Sequence, residues 1–429
     1  MKSRLIIFFV ILIFSIGARA QEADQRIGNL INQADWFTLD EEYPKLEKEL
    51  QLVMLKKLAG ALINMYFNNP NKALVLIDSL VAHHQDELGF EATSNMIAIK
   101  SQILGEQGRY AESADNVIDF LNQIKSFSQV DNFPAHVAIA KLYDEIRNEK
   151  APEIIRPNGN TEIPMFIEKA RKGVLMFVPV TIRGKIYRFI FDTGASSTFV
   201  SERFANEIGL RIVRDFFTIT GVETANGKSG TIDSLIIGDI IFKHPIIIIA
   251  PPNPAVDTIY QVDAVLGMDF IRRIGETQIF PKEGKILFPK EQTELPETGR
   301  NLLISNMQPY LKTFSNSQRL IFHFDTGNSR ADLFFPYYQK NKNDIEKHGI
   351  KDTIRLGGFG GIRIVEGYIL PQIPLQIGGT NAELTNINVS TESLTNVQQQ
   401  EDGSLGMDFI QLFQKVTINF DKMFINIEK

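Results

Sequence analysis

The first third of the chain has the spacing of apolar residues that is typical of α-helices. Between residues 46 and 65, apolar side chains recur at steps of three and four, which places them on one face of a helix. These residues are Leu46, Leu50, Val53, Met54, Leu58, Ala61, Leu62 and Met65. We therefore predict an α-helical region over residues 21–150.

This helical region repeats part of its own sequence at an interval of 41 residues (114 − 73). The repeated residues are Ala73, Ile77, Asp78 and Leu80, which recur as Ala114, Ile118, Asp119 and Leu121. The stretch from Gly108 to Ala114 resembles the turn and second helix of a tetratricopeptide-type repeat, whose usual length is about 34 residues. Two interpretations stay open: stacked helix pairs that offer a groove to a protein partner, or a helical spacer or prosegment that only packs on its neighbour.

Prolines and a glycine interrupt the helical pattern between residues 151 and 164. Because Pro152, Pro157, Gly159 and Pro164 fit poorly inside helices, we predict a linker over this segment. Beyond it, short apolar runs punctuated by Gly and Asn are typical of β-strands. These runs cover residues 174–182, 186–191, 236–249 and 285–288, and most of the remaining chain has the same character.

Residues 1–20 have the pattern of a cleavable export signal. Lys2 and Arg4 precede an apolar run over residues 5–17, and the segment ends with Ala-Arg-Ala at Ala20. The run is shorter than the ~20 residues that a membrane-spanning helix needs. We expect export to the periplasm or exterior of a bacterium, with no stable membrane insertion.

Charge and cysteine content narrow the classes of function. The chain has 45 Lys and Arg against 51 Asp and Glu, a net charge of −6. Nucleic-acid and anionic-membrane binding rest on clustered basic residues, so we expect neither. The chain has no cysteine, which excludes disulfides, thiolate metal sites and a cysteine nucleophile. A content of 44% hydrophobic residues is enough to build cores without disulfides.

The β part of the chain contains a duplicated motif. Phe-Asp-Thr-Gly-Ala-Ser begins at Phe191 and Phe-Asp-Thr-Gly-Asn-Ser begins at Phe324, so Asp192 and Asp325 are 133 residues apart (325 − 192). Alternating aromatic residues precede each copy, which predicts a half-buried strand running into each Asp-Thr-Gly turn. Further on, Leu-Gly-Met-Asp-Phe-Ile occurs from Leu266 and again from Leu405. These repeats predict a duplicated β domain.

Two Asp-Thr-Gly loops, each followed by an apolar-Leu-Gly segment, resemble the aspartic proteases over about residues 165–429. The compact halves are more similar to retropepsin-like subunits than to pepsin-like lobes, and the resemblance is to a bacterial single-chain, two-lobed form. It implies a multidomain chain in which an N-terminal α-helical repeat region precedes a mostly-β, two-lobed aspartic-protease fold of duplicated retropepsin-like barrels. The expected segments are a signal peptide (1–20), a helical tetratricopeptide-like region (21–150), a linker (151–164) and two lobes (165–292 and 293–429).

The resemblance assigns catalysis to Asp192 and Asp325. Hydrolysis of a peptide bond without a metal or a side-chain nucleophile needs one group to deprotonate water and another to protonate the carbonyl oxygen. Two carboxylates that are held close together share one proton and can take both roles. Such a pair titrates as a unit, so neither aspartate is assigned the proton.

Residues beside the two aspartates have supporting roles in the pattern of this family. Thr193 and Thr326 are expected to cross-bond the two loops beneath the carboxylates, and the glycines let the backbone turn tightly. Pepsin-like enzymes have Ser or Thr after the motif, where this chain has Ala195 and Asn328; Asn328 can donate a hydrogen bond to Asp325. The expected dyad-supporting residues are Thr193, Gly194, Thr326, Gly327 and Asn328.

The family clamps its substrate with glycine-rich hairpins called flaps. Residues 218–232 and 355–368 are rich in glycine and each fits a flap, with an ordinary hairpin as the alternative. The candidate flap residues are Gly221, Gly227, Gly357, Gly358, Phe359 and Gly360.

Patterns that would indicate other kinds of chemistry are weak in this sequence. The six histidines form no His-Glu-x-x-His metal pattern, and His323, between two phenylalanines, is interpreted as a scaffold residue. Asp269 and Asp408, inside the repeated Leu-Gly-Met-Asp segments, are expected to bond local backbone. No metal and no cofactor is expected.

The sequence therefore predicts an exported aspartic endopeptidase that acts on peptides or proteins, with both lobes of the active unit in one chain. The alternative is a catalytically silent peptide-binding protein on a protease fold, with a protein partner recruited by the helical repeats of residues 21–150.

Overall fold

A computed structural model of the protein describes residues 18–126, 128–170, 173–220, 224–251, 263–358, 361–393 and 401–429. The chain divides into two compact units between Pro152 and Glu153. The export signal falls outside the described residues except for Ala18 to Ala20, which begin the first helix.

The first unit is helical, as the sequence predicts. Its helices are α1 (Ala18–Asn32), α2 (Trp36–Leu46), α3 (Val53–Tyr66), α4 (Pro70–His83), α5 (Gln85–Glu106), α6 (Tyr110–Ile124) and α7 (Pro134–Glu145), with a 3-10 turn at Val130–Asn132. The apolar pattern from residue 46 to residue 65 spans two helices rather than one. A break separates α2 from α3, and Val53, the first residue of α3, is 56% exposed. The rest of the apolar stripe on α3 is buried at Met54, Leu58, Ala61 and Leu62.

The internal repeat falls on equivalent faces of α4 and α6. Ala73, Ile77 and Leu80 are buried on α4, and Ala114 and Leu121 are buried on α6. The repeated apolar residues therefore mark the core-facing side of each helix. Assignment of this unit to the tetratricopeptide type stays a prediction.

The predicted linker contains two short strands, so the structure differs from the prediction here. Strand β1 (Glu153–Ile155) and strand β2 (Thr161–Pro164) both pair with strands from later in the chain. The prolines are compatible with this placement because they lie outside the strands or at their ends, where a missing N–H costs no ladder hydrogen bond.

The second unit is largely β. Its first half contains β3 (Phe166–Ala170), β4 (Gly173–Ile182), β5 (Lys185–Phe191), β6 (Phe199–Ser201), α8 (Glu202–Ile208), β7 (Arg211–Thr220), β8 (Thr224–Thr231), β9 (Ser234–Ile237), β10 (Ile240–Lys243), β11 (Ile246–Ala250), β12 (Ala264–Leu266), α9 (Met268–Ile271), a 3-10 turn (Arg272–Ile274), β13 (Glu276–Phe280) and β14 (Lys285–Phe288). The apolar run over residues 236–249 thus forms parts of three strands, because a hairpin turn divides β9 from β10 and a short connection divides β10 from β11.

The second half follows the same order of elements. It contains β15 (Leu302–Ser305), β16 (Gln308–Ser315), β17 (Gln318–Phe324), β18 (Asp332–Leu333), α10 (Phe335–His348), β19 (Ile350–Gly358), β20 (Gly361–Ile377), β21 (Thr380–Ser390), β22 (Gly403–Leu405), α11 (Met407–Ile410), β23 (Lys415–Asn419) and β24 (Phe424–Glu428). None of the helices in the described parts of the chain has the length and hydropathy of a membrane-spanning segment.

Three sheets are formed by the described strands. The first follows the order β1-β10-β9-β4-β5-β12-β6-β11-β8-β7, with β3 on β4; the second follows β2-β14-β13-β23-β24; the third follows β15-β16-β17-β22-β18-β21-β20-β19. The middle sheet joins the ends of both halves, since β13 pairs with β23. The architecture is therefore two unequal sheets with a shared third sheet, and not simply two matched barrels.

The two halves nevertheless repeat one strand arrangement around each Asp-Thr-Gly loop. Strand β12 lies parallel to β5, and β22 lies parallel to β17. Strand β6 is antiparallel to β12 and parallel to β11, and β18 is antiparallel to β22 and parallel to β21. Phe189, Phe191, Phe322 and Phe324 are fully buried. Burial alternates along β17, as predicted, whereas the end of β5 is buried on both faces because Ile190 is buried as well.

Candidate active site

The two Asp-Thr-Gly loops meet at one place in the second unit. Asp192 directly follows β5 and Asp325 directly follows β17, and the two carboxyl groups are hydrogen-bonded to each other. The structure thus brings together the two residues that the sequence assigns to catalysis.

Backbone N–H groups hold each carboxylate in a fixed orientation. Asp192 Oδ1 accepts the N–H groups of Gly194 at 2.8 Å and Ala195 at 3.1 Å. Asp325 Oδ1 accepts those of Gly327 at 2.9 Å and Asn328 at 3.0 Å. Because the same oxygen is used in both loops, the two carboxylates are held in equivalent ways.

Thr193 and Thr326 join the two loops beneath the carboxyl groups. Both side chains are fully buried, and the hydroxyl of each accepts the backbone N–H of the other, at 3.1 and 3.0 Å. This pair fixes the separation of the loops, and with it the separation of the two aspartates.

The two motif glycines are needed for the close approach of the loops. A Cβ atom on Gly194 would lie 2.3 Å from Cγ of Asp325, and one on Gly327 would lie 2.3 Å from Cγ of Asp192. Any side chain at either position would push the opposite carboxyl group away.

The repeated Leu-Gly-Met-Asp segments support the loops from below. Leu266 O accepts the N–H of Asp192, and Leu405 O accepts that of Asp325, both at 3.0 Å. Asp269 Oδ1 accepts the N–H and the hydroxyl of Thr198, each at 2.8 Å. Asp408 Oδ1 accepts the N–H of Ala331 at 2.8 Å. The backbone partners Thr198 and Ala331 are 71 and 77 residues away, in the segments that follow the Asp-Thr-Gly loops, so these bonds are not the local ones that the sequence predicts.

Asn328 supports Asp325 through its backbone and not through its side chain. The N–H of Asn328 bonds Asp325, as Ala195 bonds Asp192, and any residue other than proline would supply this bond. The Asn328 side chain accepts the N–H of Arg330 at 3.3 Å and also bonds Asp332.

Burial and mutual repulsion make the two aspartates hard to ionise together. The pKa of Asp192 is raised to about 8. The largest cause is burial, followed by the negative charge of Asp325 and by the hydrogen bond between the two carboxyl groups. Burial also raises the pKa of Asp325, against the hydrogen bonds that it accepts from Asp192 and from two backbone N–H groups. Burial and mutual repulsion therefore favour a pair that holds one proton between two carboxyl groups, which is the state suited to combined acid and base chemistry.

The candidate flap residues are only partly described. Gly227 lies in the hairpin of β7 and β8, where it pairs with Phe217. Gly357 and Gly358 lie at the end of β19, where they pair with Ile362 and Gly361 of β20. Gly221, Phe359 and Gly360 lie outside the described residues. Both glycine-rich segments therefore form hairpins, and their role over the site stays a prediction.

Three residues near the dyad were not assigned a site role from the sequence. His323 Nδ1 lies 3.9 Å from Asp325 Oδ2, Gln308 Nε2 donates to Gly194 O at 2.9 Å, and Ser329 Oγ accepts the N–H of Val174 at 2.7 Å. The closeness of His323 to the dyad can be inferred from the sequence, because residues two apart on a strand share a face and His323 stands two residues before Asp325. Gln308 and Ser329 cross between the halves, which no local pattern indicates.

Within the described residues, no group of three or more His, Asp or Glu side chains is arranged to hold a metal ion. The site consists of two carboxyl groups that share a proton, carried on loops that hydrogen bonds hold in place. Such a pair can activate a water molecule and protonate the oxygen that the water attacks.

Comparison with known protein families gives one match. Residues 178–273 match the family described as "gag-polyprotein putative aspartyl protease". This part of the chain is aspartyl-protease-like. The matched residues include Asp192 and the first Leu-Gly-Met-Asp segment, whereas Asp325 lies beyond them. No curated protein sequence matches the chain.

Several solved structures are loosely similar to the protein. Basic 7S globulin from soybean is 10% identical with a TM-score of 0.41, covering 63% of this chain and 95% of its own. Conglutin gamma from lupine seeds is 9% identical with a TM-score of 0.40, covering 64% and 95%. A retropepsin-like aspartic protease from Rickettsia conorii is 20% identical with a TM-score of 0.22, covering 32% and 92%.

Proposed function

We propose that the protein is an exported aspartic endopeptidase in which Asp192 and Asp325 together activate water. The hydrogen bond between their carboxyl groups carries the proposal, because it places one proton between two acids on matched loops. The family match over residues 178–273 supports an aspartic-protease relationship for the half that contains Asp192.

The proposed reaction uses both protonation states of the pair. The ionised carboxylate takes a proton from water while the oxygen of that water bonds the carbonyl carbon of the peptide. The protonated carboxyl group gives its proton to the carbonyl oxygen. When the intermediate collapses, the C–N bond breaks, the protonated carboxyl group gives its proton to the amine nitrogen, and the other carboxylate takes a proton from a hydroxyl of the intermediate, so that the pair again holds one.

The proposal is tested by cleavage of a randomised peptide mixture. We expect Asp192→Asn and Asp325→Asn each to lower the rate of cleavage on the order of 10³-fold or more, since each removes one of the two proton-transfer groups. Asp239→Asn is the matched control, because Asp239 is exposed in the turn between β9 and β10. The proposal is overturned if either dyad variant cleaves the peptides at the wild-type rate.

A second measurement separates catalysis from peptide binding. An inhibitor of the statine type mimics the hydrated carbonyl, so we expect it to bind far more tightly than a substrate peptide of the same sequence. Binding of peptides without any cleavage, and without this preference, would instead favour a catalytically silent peptide-binding protein.

Export is part of the same proposal and rests on the pattern of residues 1–20. N-terminal sequencing of the protein secreted by a bacterial host is expected to begin after Ala20. Recruitment of a protein partner by residues 21–150 stays a proposal, and deletion of that region is expected to slow cleavage of a protein substrate more than that of a short peptide.

A further inference from the structure

The two halves place side chains of opposite polarity at equivalent positions around the dyad. Strand pairing establishes which positions are equivalent. Ile190 on β5 pairs with Phe177 on β4 and Val265 on β12. His323 stands at the same place on β17, and its partners on β16 and β22 are Tyr310 and Ser404.

In the first half these positions form an apolar cluster. Ile190 and Val265 are almost fully buried in it, and Ile190 stands two residues before Asp192 on the same face of the strand. The cluster comprises Leu175, Phe177, Ile190, Ala195, Phe199 and Val265. Of these residues, Phe177, Ala195 and Phe199 are only partly buried, so the cluster has an apolar surface.

In the second half every equivalent position is polar. The pairing of β16, β17, β18 and β22 identifies the positions that correspond to the six residues of the apolar cluster. In the same order as the members of that cluster, they are Gln308, Tyr310, His323, Asn328, Asp332 and Ser404.

The polar residues lie next to Asp325, and Gln308, Tyr310, His323 and Asn328 are partly exposed while Asp332 and Ser404 are buried. His323 Nδ1 is 3.9 Å from the Asp325 carboxylate, and the His323 ring lies 5.5 Å from that of Tyr310. The Tyr310 hydroxyl is 3.5 Å from Gln308 Oε1. Asn388 Nδ2 donates to Asp332 at 2.8 Å, and Asn388 is itself the counterpart of Ile248 in the first half.

The polarity difference has a consequence for any peptide that lies across the dyad. An extended substrate carries one side chain toward each half on either side of the bond that is cut, because successive side chains point to opposite faces. An apolar side chain gains by burial against the first surface. Against the second surface, an apolar side chain would remove water from polar groups without replacing their hydrogen bonds.

We infer that the protein selects peptides in which one residue flanking the cut bond is large and apolar and the other is polar and able to hydrogen-bond. This inference rests on the proposed peptidase function and adds its substrate class. The residues that decide it are partly buried ones, Phe177 and Phe199 in the first half and Tyr310 and His323 in the second. A site that hydrogen-bonds one side chain and buries the other discriminates against peptides with two apolar residues on the order of 10- to 100-fold.

The test is to sequence the products of a randomised peptide mixture and to count residue types on both sides of each cut. For the wild type we expect an excess of pairs with one large apolar and one polar residue. The double variant Tyr310→Phe, His323→Ile gives the second half the side chains that the first half has at Phe177 and Ile190. We expect it to raise kcat/KM for peptides with two apolar residues about 10-fold relative to mixed pairs.

The control is Ile186→Thr, a change of polarity at a position of β5 that is 68% exposed; its preference is expected to match the wild type. A wild-type preference for two apolar residues, or no preference at all, overturns the inference and leaves the peptidase proposal standing. Absence of any cleavage by the wild type overturns both. The residue types that the wild type cleaves between are enough to confirm or overturn the inference. The inference can therefore be tested even if the double variant does not fold.

Discussion

Thr193 and Thr326 exchange hydrogen bonds across the two halves of the β unit. Beyond accepting each other's N–H groups, the hydroxyl of Thr193 donates to Phe324 O at 2.7 Å and that of Thr326 donates to Phe191 O at 2.6 Å. Each hydroxyl therefore acts as both donor and acceptor in a fully buried position. The carbonyl groups that it bonds belong to the residues just before the two aspartates.

This exchange predicts a large effect of removing one hydroxyl. Thr193→Val keeps the shape of the side chain but leaves the Thr326 N–H and the Phe324 carbonyl buried without a hydrogen bond. We expect a loss of about 3 kcal/mol in the free energy of unfolding of the β unit, measured by urea unfolding followed by circular dichroism. Thr193→Ser retains the hydroxyl and is expected to lose much less. Equal stability of the Val and Ser variants would contradict the role assigned to the hydroxyl.

The close packing of the loops predicts that a single methyl group disrupts the dyad. In Gly327→Ala the new Cβ would lie 2.3 Å from Cγ of Asp192, so the carboxyl group has to move. A displacement of about 1 Å at a reacting group is expected to slow cleavage about 100-fold, measured as kcat on a good peptide substrate.

Gly379→Ala is the control for this change, since a Cβ on Gly379 meets no atom within 4 Å. We expect it to keep wild-type activity. A Gly327→Ala variant that is folded and as active as the control would show that the two loops are not held as closely as the structure places them.

The shared proton predicts loss of activity in mild alkali. The pKa of Asp192 is raised to about 8, first by burial and then by Asp325, so the pair keeps its single proton below this pH. As the pH rises through about 8 the second carboxyl group ionises, and the general acid is lost. The logarithm of kcat/KM is expected to fall with unit slope above that point, because one proton is involved. Activity that is constant up to pH 10 would refute this assignment.

The raised pKa of Asp332 predicts a separate effect of pH on the free energy of unfolding. Burial is the first cause that raises its pKa from 3.8 to about 6, and the nearby Asp408 adds to it, against hydrogen bonds from Asn388 and Asn328. The folded chain thus binds this proton more tightly than the unfolded chain does. The resulting stabilisation is complete below about pH 4 and is lost as the pH rises through about 6.

Asp332→Asn removes this titration while keeping an oxygen for Asn388. From pH 4 to pH 7 we expect the variant to gain up to about 3 kcal/mol in unfolding free energy relative to the wild type. The measurement is urea unfolding of both proteins at several pH values. A difference that does not change with pH, or that changes in the opposite direction, would rule out the raised pKa of Asp332.

Local sequence patterns were sufficient for several features of the site. The repeated Asp-Thr-Gly loops, with phenylalanines alternating before them, predict two equivalent strand-to-loop turns, because strand periodicity is visible in a few consecutive residues. The repeat of Leu-Gly-Met-Asp identifies the supporting segments. The predicted linker, in contrast, contains β1 and β2, because pairing with distant strands overrides the local effect of proline.

Side-chain direction is a second point at which the sequence was insufficient. The Asn328 side chain has a donor that could bond Asp325, but its backbone supplies that bond, and its amide group faces Arg330 and Asp332. His323 was interpreted as a scaffold residue and lies beside the dyad. Residue type alone does not specify which of several nearby polar groups a side chain will bond.

The sequence by itself determined that the β part is duplicated, that a helical region precedes it, and which two aspartates are the candidates for catalysis. These properties are expressed in neighbouring residues and in exact repeats. Only the tertiary structure decided that the two loops interlock through Thr193 and Thr326, that a third sheet joins both halves, and that apolar side chains around Asp192 correspond to polar ones around Asp325. These relationships depend on strand register and on contacts between residues more than 100 positions apart, which folding sets through packing and hydrogen bonding across the whole unit.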